Sequence, residues 1–329
     1  MANNRKKLLL PSTMARAGWE VLEKRGDVEA IPYDPNIQAA PFHALIADAD
    51  GVALSLTRYG EAELLAGPKV RVVARHGVGY DMVDVPALTR RGVPLMVTGI
   101  ANSPSVAEQA LYFMFELAKR GAVFHAVVQE GRWADRLSEP LPIDLFGKTL
   151  LVVGFGRIGT RIARVCIALG MTVRVYDPYV EAAAISVAGC VPEKDLDAAL
   201  PRADFVTIHC PKTPETVGMF NGARLARMRP TAYLVNTARG GIIDEPALHA
   251  ALTKGVIRGA GLDVFEREPP AEDNPLLALP NVVTAPHMAG VTIESFDRMA
   301  IAVATNLLEV LDGKPNLDHV VNKEVFRHR

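Results

Sequence analysis

The sequence predicts an α/β protein of two doubly wound parallel-sheet domains, one inserted into the other. Three observations predict it. Short apolar runs alternate with helix-patterned stretches along nearly the whole chain. A glycine-rich strand-to-helix turn opens only at residue 154. Two strong helical patterns, at 103–120 and 292–311, flank the segment around that turn. The 329 residues, 49% of them hydrophobic, are enough for two domains with full cores.

The elements follow in order. MANNRKKLLLPSTM places basic residues before an apolar run, but three leucines stopped by Pro11 are too short for a signal-peptide core and read as a first strand. KLLL (7–10), VALSL (52–56), VRVVA (70–74) and PLMV (94–97) then alternate with helical stretches, as in a parallel sheet covered by helices. NSPSVAEQALYFMFELAKRG (102–121) is a helix with Ser103 as cap, Pro104 at the first position and Gly121 as the stop; its apolar residues nearly encircle it, so it should be buried. From 150 the strand candidates are LLVV, TVRVY (172–176), FVTI (205–208), AYLV (232–235), AGLDV (260–264) and VVTA (282–285), six strands that complete a doubly wound fold. The sheet is finished near 285. The segment TIESFDRMAIAVATNLLEVLDGK (292–314) and the short tail after it cannot form a domain alone, so the chain crosses twice between domains. Residues 1–100 and 292–329 should make a discontinuous flavodoxin-like substrate domain, and 101–291 an inserted Rossmann domain.

Composition narrows the partners. Thirty-six Lys and Arg against 37 Asp and Glu leave a net charge of -1, which advertises neither nucleic acid nor an anionic membrane, so a small molecule is expected. Cys166, Cys190 and Cys210 are odd in number and lack C-x-x-C spacing, which argues against a disulfide framework or a structural metal site and for a reducing, cytoplasmic setting. No apolar run approaches the roughly 18 residues of a membrane span.

In LLVVGFGRIGTRIA (150–163), Gly154, Gly156 and Gly159 fall at G-x-G-x-x-G between a strand and an amphipathic helix. The first glycine permits the tight turn, the second lets the backbone approach a pyrophosphate, and the third allows close helix packing with the helix N-terminus facing the anion. Asp177 ends the next strand 18 positions after Gly159, where a carboxylate accepts ribose hydroxyls and repels a 2′-phosphate. No arginine follows in DPYVEAAA, so NAD is expected over NADP.

Three further stretches, VNTARGGIIDEPAL (235–248), GLDVFEREPP (261–270) and TAPHMAGVT (284–292), join RHGVGYDMVDV (75–85) and NSPSVAEQAL (102–111). Together they resemble the D-isomer-specific 2-hydroxyacid dehydrogenases, the family of D-3-phosphoglycerate dehydrogenase and hydroxypyruvate reductase, over nearly the whole chain. The resemblance implies NAD-dependent interconversion of a D-2-hydroxy acid and its 2-oxo acid, with Arg239, Glu268 and His287 as catalytic groups. It also implies cofactor contacts from Arg157 and Ile158 at the pyrophosphate, Cys210 and Pro211 beside adenine, Thr237 and Ala238 near the nicotinamide ribose, and Asp263 at the carboxamide, with Thr216 and Gly290 in the same set. Substrate contacts are implied for Val78 and Gly79, whose amides would face the carboxylate, and for Ser55 and His76. A homodimer is implied as well.

The chemistry asks for the same residue types. A guanidinium fork holds a carboxylate beside the reacting carbon, and a histidine exchanges the proton of the carbonyl or hydroxyl oxygen. A neighbouring glutamate orients that ring and favours its charged form. Departures limit the substrate. Many phosphoglycerate dehydrogenases carry an arginine where this chain has Ser55, and no regulatory C-terminal domain follows, so phosphoglycerate is not favoured; Arg58 and Arg75 are the candidates to meet an anionic tail. Glu268 speaks against the formate dehydrogenase branch, which has glutamine there. The rival reading is an NAD(H)-sensing scaffold of the C-terminal binding protein corepressor type, against which stands the end of the chain at Arg329, soon after the last helix.

Overall fold

The computed structural model describes residues 5–327, so the outermost residues of the expected first domain, 1–4 and 328–329, lie outside it. The chain divides into two compact units, Met1–Asn102 with Val291–Arg329, and Ser103–Gly290.

The first unit holds a parallel sheet of β1 (Lys6–Pro11), β2 (Val28–Tyr33), β3 (Gly51–Leu54), β4 (Val72–Arg75) and β5 (Leu95–Met96), in the order β2-β1-β3-β4-β5. This is the flavodoxin-like order. Alternate residues of each strand enter two separate cores: Leu8, Leu10, Ala53, Val72 and Ala74 pack with Leu22, Ala300, Val303 and Leu307, while Leu9, Val52, Leu54 and Val73 pack with Phe42, Ile46, Leu64 and Leu88. Burial on both faces explains why the strands read as continuous apolar runs. At the crossing of the helices Arg16–Glu23 and Ile293–Leu311, a β-carbon on Gly18 would lie 2.7 Å from the Ala300 carbonyl oxygen, so the two backbones touch. The strand β2 escaped the sequence reading because VEAIPY is an edge strand, half-buried and carrying Pro32, which only an edge tolerates. The opposite edge is covered by the C-terminal segment: Met96 bridges Val320, and the Asn322 side chain accepts the Leu95 amide and donates to the Val93 carbonyl.

The second unit has seven parallel strands where six were expected: β6 (Thr149–Val153), β7 (Thr172–Tyr176), β8 (Val191–Glu193), β9 (Phe205–Ile208), β10 (Tyr233–Asn236), β11 (Gly259–Leu262) and β12 (Val282–Thr284). Their order, β12-β11-β10-β9-β6-β7-β8, is the Rossmann order with one further strand, and it reverses between β6 and β9. The unforeseen β8 is again a short edge strand containing a proline, Pro192. The first helix of this unit spans Ser103–Lys119, so Ser103 lies inside it. Gly121 does not stop it either. Arg120 takes the left-handed conformation (φ 54°), and Gly121 begins the next helix, Gly121–Gln129. Nor is the helix buried all round: Val106, Ala110, Phe113, Met114 and Leu117 are buried, whereas Tyr112 and Phe115 are exposed. Among the described residues, no helix is long and apolar enough to cross a membrane.

Candidate active site

The glycine turn sits at the reversal of the second sheet. Gly154 has φ 96°, and a β-carbon on it would lie 2.6 Å from the Cys210 nitrogen, so the turn presses on the loop that follows β9. A β-carbon on Gly159 would overlap the Gly154 carbonyl oxygen, which is why the helix Gly159–Ala168 can start in contact with the strand end. Above Gly156 the space is open, and Arg157 and Ile158 lead into the helix N-terminus. This geometry fits a dinucleotide pyrophosphate. Asp177, directly after β7, accepts the Phe155 amide on Oδ2 (2.7 Å) and the Tyr179 amide on Oδ1 (2.9 Å), so the carboxylate staples the glycine turn while keeping lone pairs for a ribose. Beyond β9, burial pushes the Cys210 thiol up to about 11, and Pro211 is exposed. The Thr216 hydroxyl is engaged within its own turn, donating to the Pro211 carbonyl and accepting the Thr213 amide, both at 2.7 Å.

The loops after β10, β11 and β12 bring the candidate catalytic groups together. Asn236, the last residue of β10, donates from its side chain to the Arg239 carbonyl (2.9 Å) and accepts the Ala238 amide (3.0 Å), fixing the turn from Thr237 to Arg239. Thr237 is buried, and the half-buried Arg239 donates to the Ala238 carbonyl at 2.6 Å. Glu268 accepts the Phe265 amide on Oε1 (3.0 Å) and faces His287 Nδ1 with Oε2 at 2.6 Å. A carboxylate only accepts, so Nδ1 donates, and Nε2 remains for a substrate. Burial raises the Glu268 pKa, but the bond to His287, the Phe265 amide and the charges of His287 and Arg239 outweigh it and hold the carboxyl below its ordinary value. His287 itself has a left-handed backbone (φ 56°) and a side chain 48% exposed.

That backbone is held by Asp263. Its carbonyl accepts the His287 amide (2.8 Å), and its carboxylate, on a residue only 1% exposed, accepts the amides of Met288 (2.8 Å) and Ala289 (2.9 Å), just before Gly290. Burial raises the Asp263 pKa and the two amides pull it back. The resemblance implies a carboxamide contact for Asp263; here its carboxylate and carbonyl bolt down the histidine loop. Asn236 has no such expectation attached, because its partners are backbone atoms of its own turn, and no residue-type pattern announces them.

In the first unit, Ser55 is half-buried just beyond β3, and the His76 amide donates to the Leu54 carbonyl at 2.7 Å. Gly77 (φ 145°), Val78 and Gly79 form the turn after β4. The His76 ring packs edge-on against Phe296 at 5.2 Å, its Nε2 buried without a hydrogen-bond partner; burial, helped by the Arg75 charge, pushes it down to about 4, so the ring is neutral. Arg75 turns its guanidinium back onto the carbonyls of His76 and Leu54, and Arg58 is exposed. Among the described residues, no three side chains are grouped to hold a metal ion.

A reversed-order parallel sheet with this turn in one unit, and an open sheet packed by helices from both ends of the chain in the other, define a two-domain dinucleotide-binding α/β protein. Residues 111–289 match the D-isomer specific 2-hydroxyacid dehydrogenase, NAD binding domain family, and the chain belongs to the D-isomer specific 2-hydroxyacid dehydrogenases. It is 36% identical to a D-3-phosphoglycerate dehydrogenase of Synechocystis over 310 residues, 94% of this chain and 55% of that one, so it spans little more than half of that relative's length. It is 41% identical to a glyoxylate reductase of Korarchaeum cryptofilum, with 86% of each chain covered. Among solved structures, an NADPH-dependent glyoxylate/hydroxypyruvate reductase from Sinorhizobium meliloti, in complex with NADP and malonate, superposes with a TM-score of 0.83 at 29% identity over 99% of both chains.

Proposed function

We propose that the protein is an NAD-dependent dehydrogenase that interconverts a D-2-hydroxy acid and its 2-oxo acid. The observation that carries this reading is the 2.6 Å contact of Glu268 with His287, made where the Arg239 charge also reaches Glu268. Bound at the glycine turn, the nicotinamide cofactor supplies or accepts the hydride. Arg239 holds the substrate carboxylate and polarises the adjacent carbonyl. In reduction His287, protonated on both nitrogens, delivers the Nε2 proton to the carbonyl oxygen as charge develops there; in oxidation the neutral ring takes the hydroxyl proton at the same atom. Glu268 keeps Nδ1 protonated throughout, which fixes the tautomer and the ring plane. Within the first unit, the amides of Val78 and Gly79 are the candidate substrate contacts.

Asp177 favours NAD over NADP. Ser55 in place of an arginine, and an Arg75 turned inward, favour 2-oxo acids with small uncharged side chains, such as glyoxylate and hydroxypyruvate. A homodimer in the cytoplasm completes the reading. An NADH-oxidation screen over glyoxylate, hydroxypyruvate, phenylpyruvate, branched 2-oxo acids and phosphohydroxypyruvate tests it. Turnover with at least one is expected; NADH binding with no turnover on any would instead favour the corepressor-type scaffold.

A further inference from the structure

Glu245 opens the helix Glu245–Thr253, whose N-terminus is already capped by Asp244 through the Ala247 amide (2.9 Å). Its carboxylate therefore serves elsewhere. One oxygen accepts the Glu266 amide and the other accepts the Asn274 side-chain amide at 3.0 Å. These donors stand on either side of Glu268 in the chain. Asn274 is itself fixed, accepting the Leu276 amide (3.1 Å) and donating its own amide to the Ala271 carbonyl (3.0 Å). At its root the same loop meets the Arg239 turn so closely that a β-carbon on Gly240 would overlap the Phe265 carbonyl oxygen.

We propose that Glu245 is a positioning residue for proton transfer, clasping the loop 266–274 at both ends and so holding Glu268 against His287. The inference rests on the reading of His287 as the acid and base of a dehydrogenase. Residues 266–269 are exposed, and no core contact fixes them. Two hydrogen bonds to one carboxylate replace that contact, because each is charge-assisted and together they remove the freedom of the intervening loop. With the clasp open, Glu268 spends less time on the imidazole, and the protonated ring loses its partner.

The test uses the full chain with two substitutions. Glu245→Gln sets an NH2 group against one of the two donors and breaks that bond. Asn274→Asp keeps the oxygen that accepts the Leu276 amide but turns a second carboxylate toward Glu245. Each is expected to lower reductive kcat roughly tenfold while the KM of the 2-oxo acid stays within about twofold of the wild-type value, the split expected when only proton transfer is disturbed. NADH affinity, read by nicotinamide fluorescence, should stay at the wild-type value. A kcat at the wild-type value, or a KM that rises as kcat falls, overturns the inference, even if thermal stability has changed. If Glu245→Gln does not fold, Asn274→Asp decides. A wild-type chain without turnover would overturn both this inference and the reading beneath it.

Discussion

His287 Nδ1 stands 2.6 Å from Glu268 Oε2, and the two residues reach each other from loops that leave the paired strands β11 and β12. The hydrogen bond fixes the ring plane and leaves Nε2 for the proton that reduction needs. Glu268→Gln keeps the size and a hydrogen-bonding oxygen but removes the charge. It is expected to lower reductive kcat roughly tenfold while turnover survives, because the amide holds the ring less firmly than the carboxylate. Steady-state kcat at saturating NADH checks this, and a wild-type kcat would count against the pair.

Asp177 accepts the amides of Phe155 and Tyr179, and the proposed function gives it the ribose as well. Asp177→Ser with an arginine placed nearby should therefore raise the ratio of NADPH to NADH efficiency by about tenfold or more. It should also weaken NADH binding beyond the loss of a ribose contact, because the glycine turn loses its staple. Fluorescence titrations with both nucleotides separate the two effects. Equal use of NADH and NADPH by the wild type would contradict the role of Asp177.

His76 gives a pH dependence of stability with a definite sign. Its folded value of about 4 lies below the ordinary 6.5, so the unfolded chain binds the proton first as pH falls. Stability from this group is complete above pH 6.5 and lost between there and pH 4, on the order of 3 kcal/mol in all. His76→Gln should flatten the fall in urea midpoint between pH 7 and 4.5 relative to wild type. Parallel curves for the two proteins would refute the assignment.

The second unit offers a candidate surface for the proposed homodimer. Tyr112, Phe115, Val128, Trp133, Leu137, Leu141 and Phe146 are exposed between residues 112 and 146, a density of apolar side chains that a monomer rarely leaves in water. Light scattering at micromolar concentration should return twice the chain mass, and Trp133→Glu with Leu137→Glu should reduce it to one. A wild-type monomer would exclude the dimer.

Both sheets, the double crossing and the Arg239, Glu268 and His287 motifs were legible because each is a local pattern. A buried parallel strand is an apolar run, a nucleotide turn is a glycine spacing, and the three motifs are short fixed strings. The strands β2 and β8 were not legible, since an edge strand pairs on one side only and keeps polar residues and a proline. The end of the first helix of the second unit was misread for a related reason: glycine favours a left-handed stop, but Arg120 adopts that conformation and Gly121 starts the next helix. The supports of the site, Asn236 under Arg239, Asp263 under His287 and Glu245 under the Glu268 loop, bond mainly to backbone amides and carbonyls. Such partners leave no signature in residue identity, and for Asp263 and Glu245 they lie about 20 or more positions away.

Proton donation in the reducing direction is assigned to His287. Rapid-mixing measurement of kcat for His287→Ala, with a good 2-oxo acid and saturating NADH, tests it most directly. The predicted result is a loss on the order of a hundredfold or greater with NADH affinity unchanged, because the variant keeps the nucleotide turn and loses only the acid. A kcat close to wild type would contradict the account and assign proton transfer to another group.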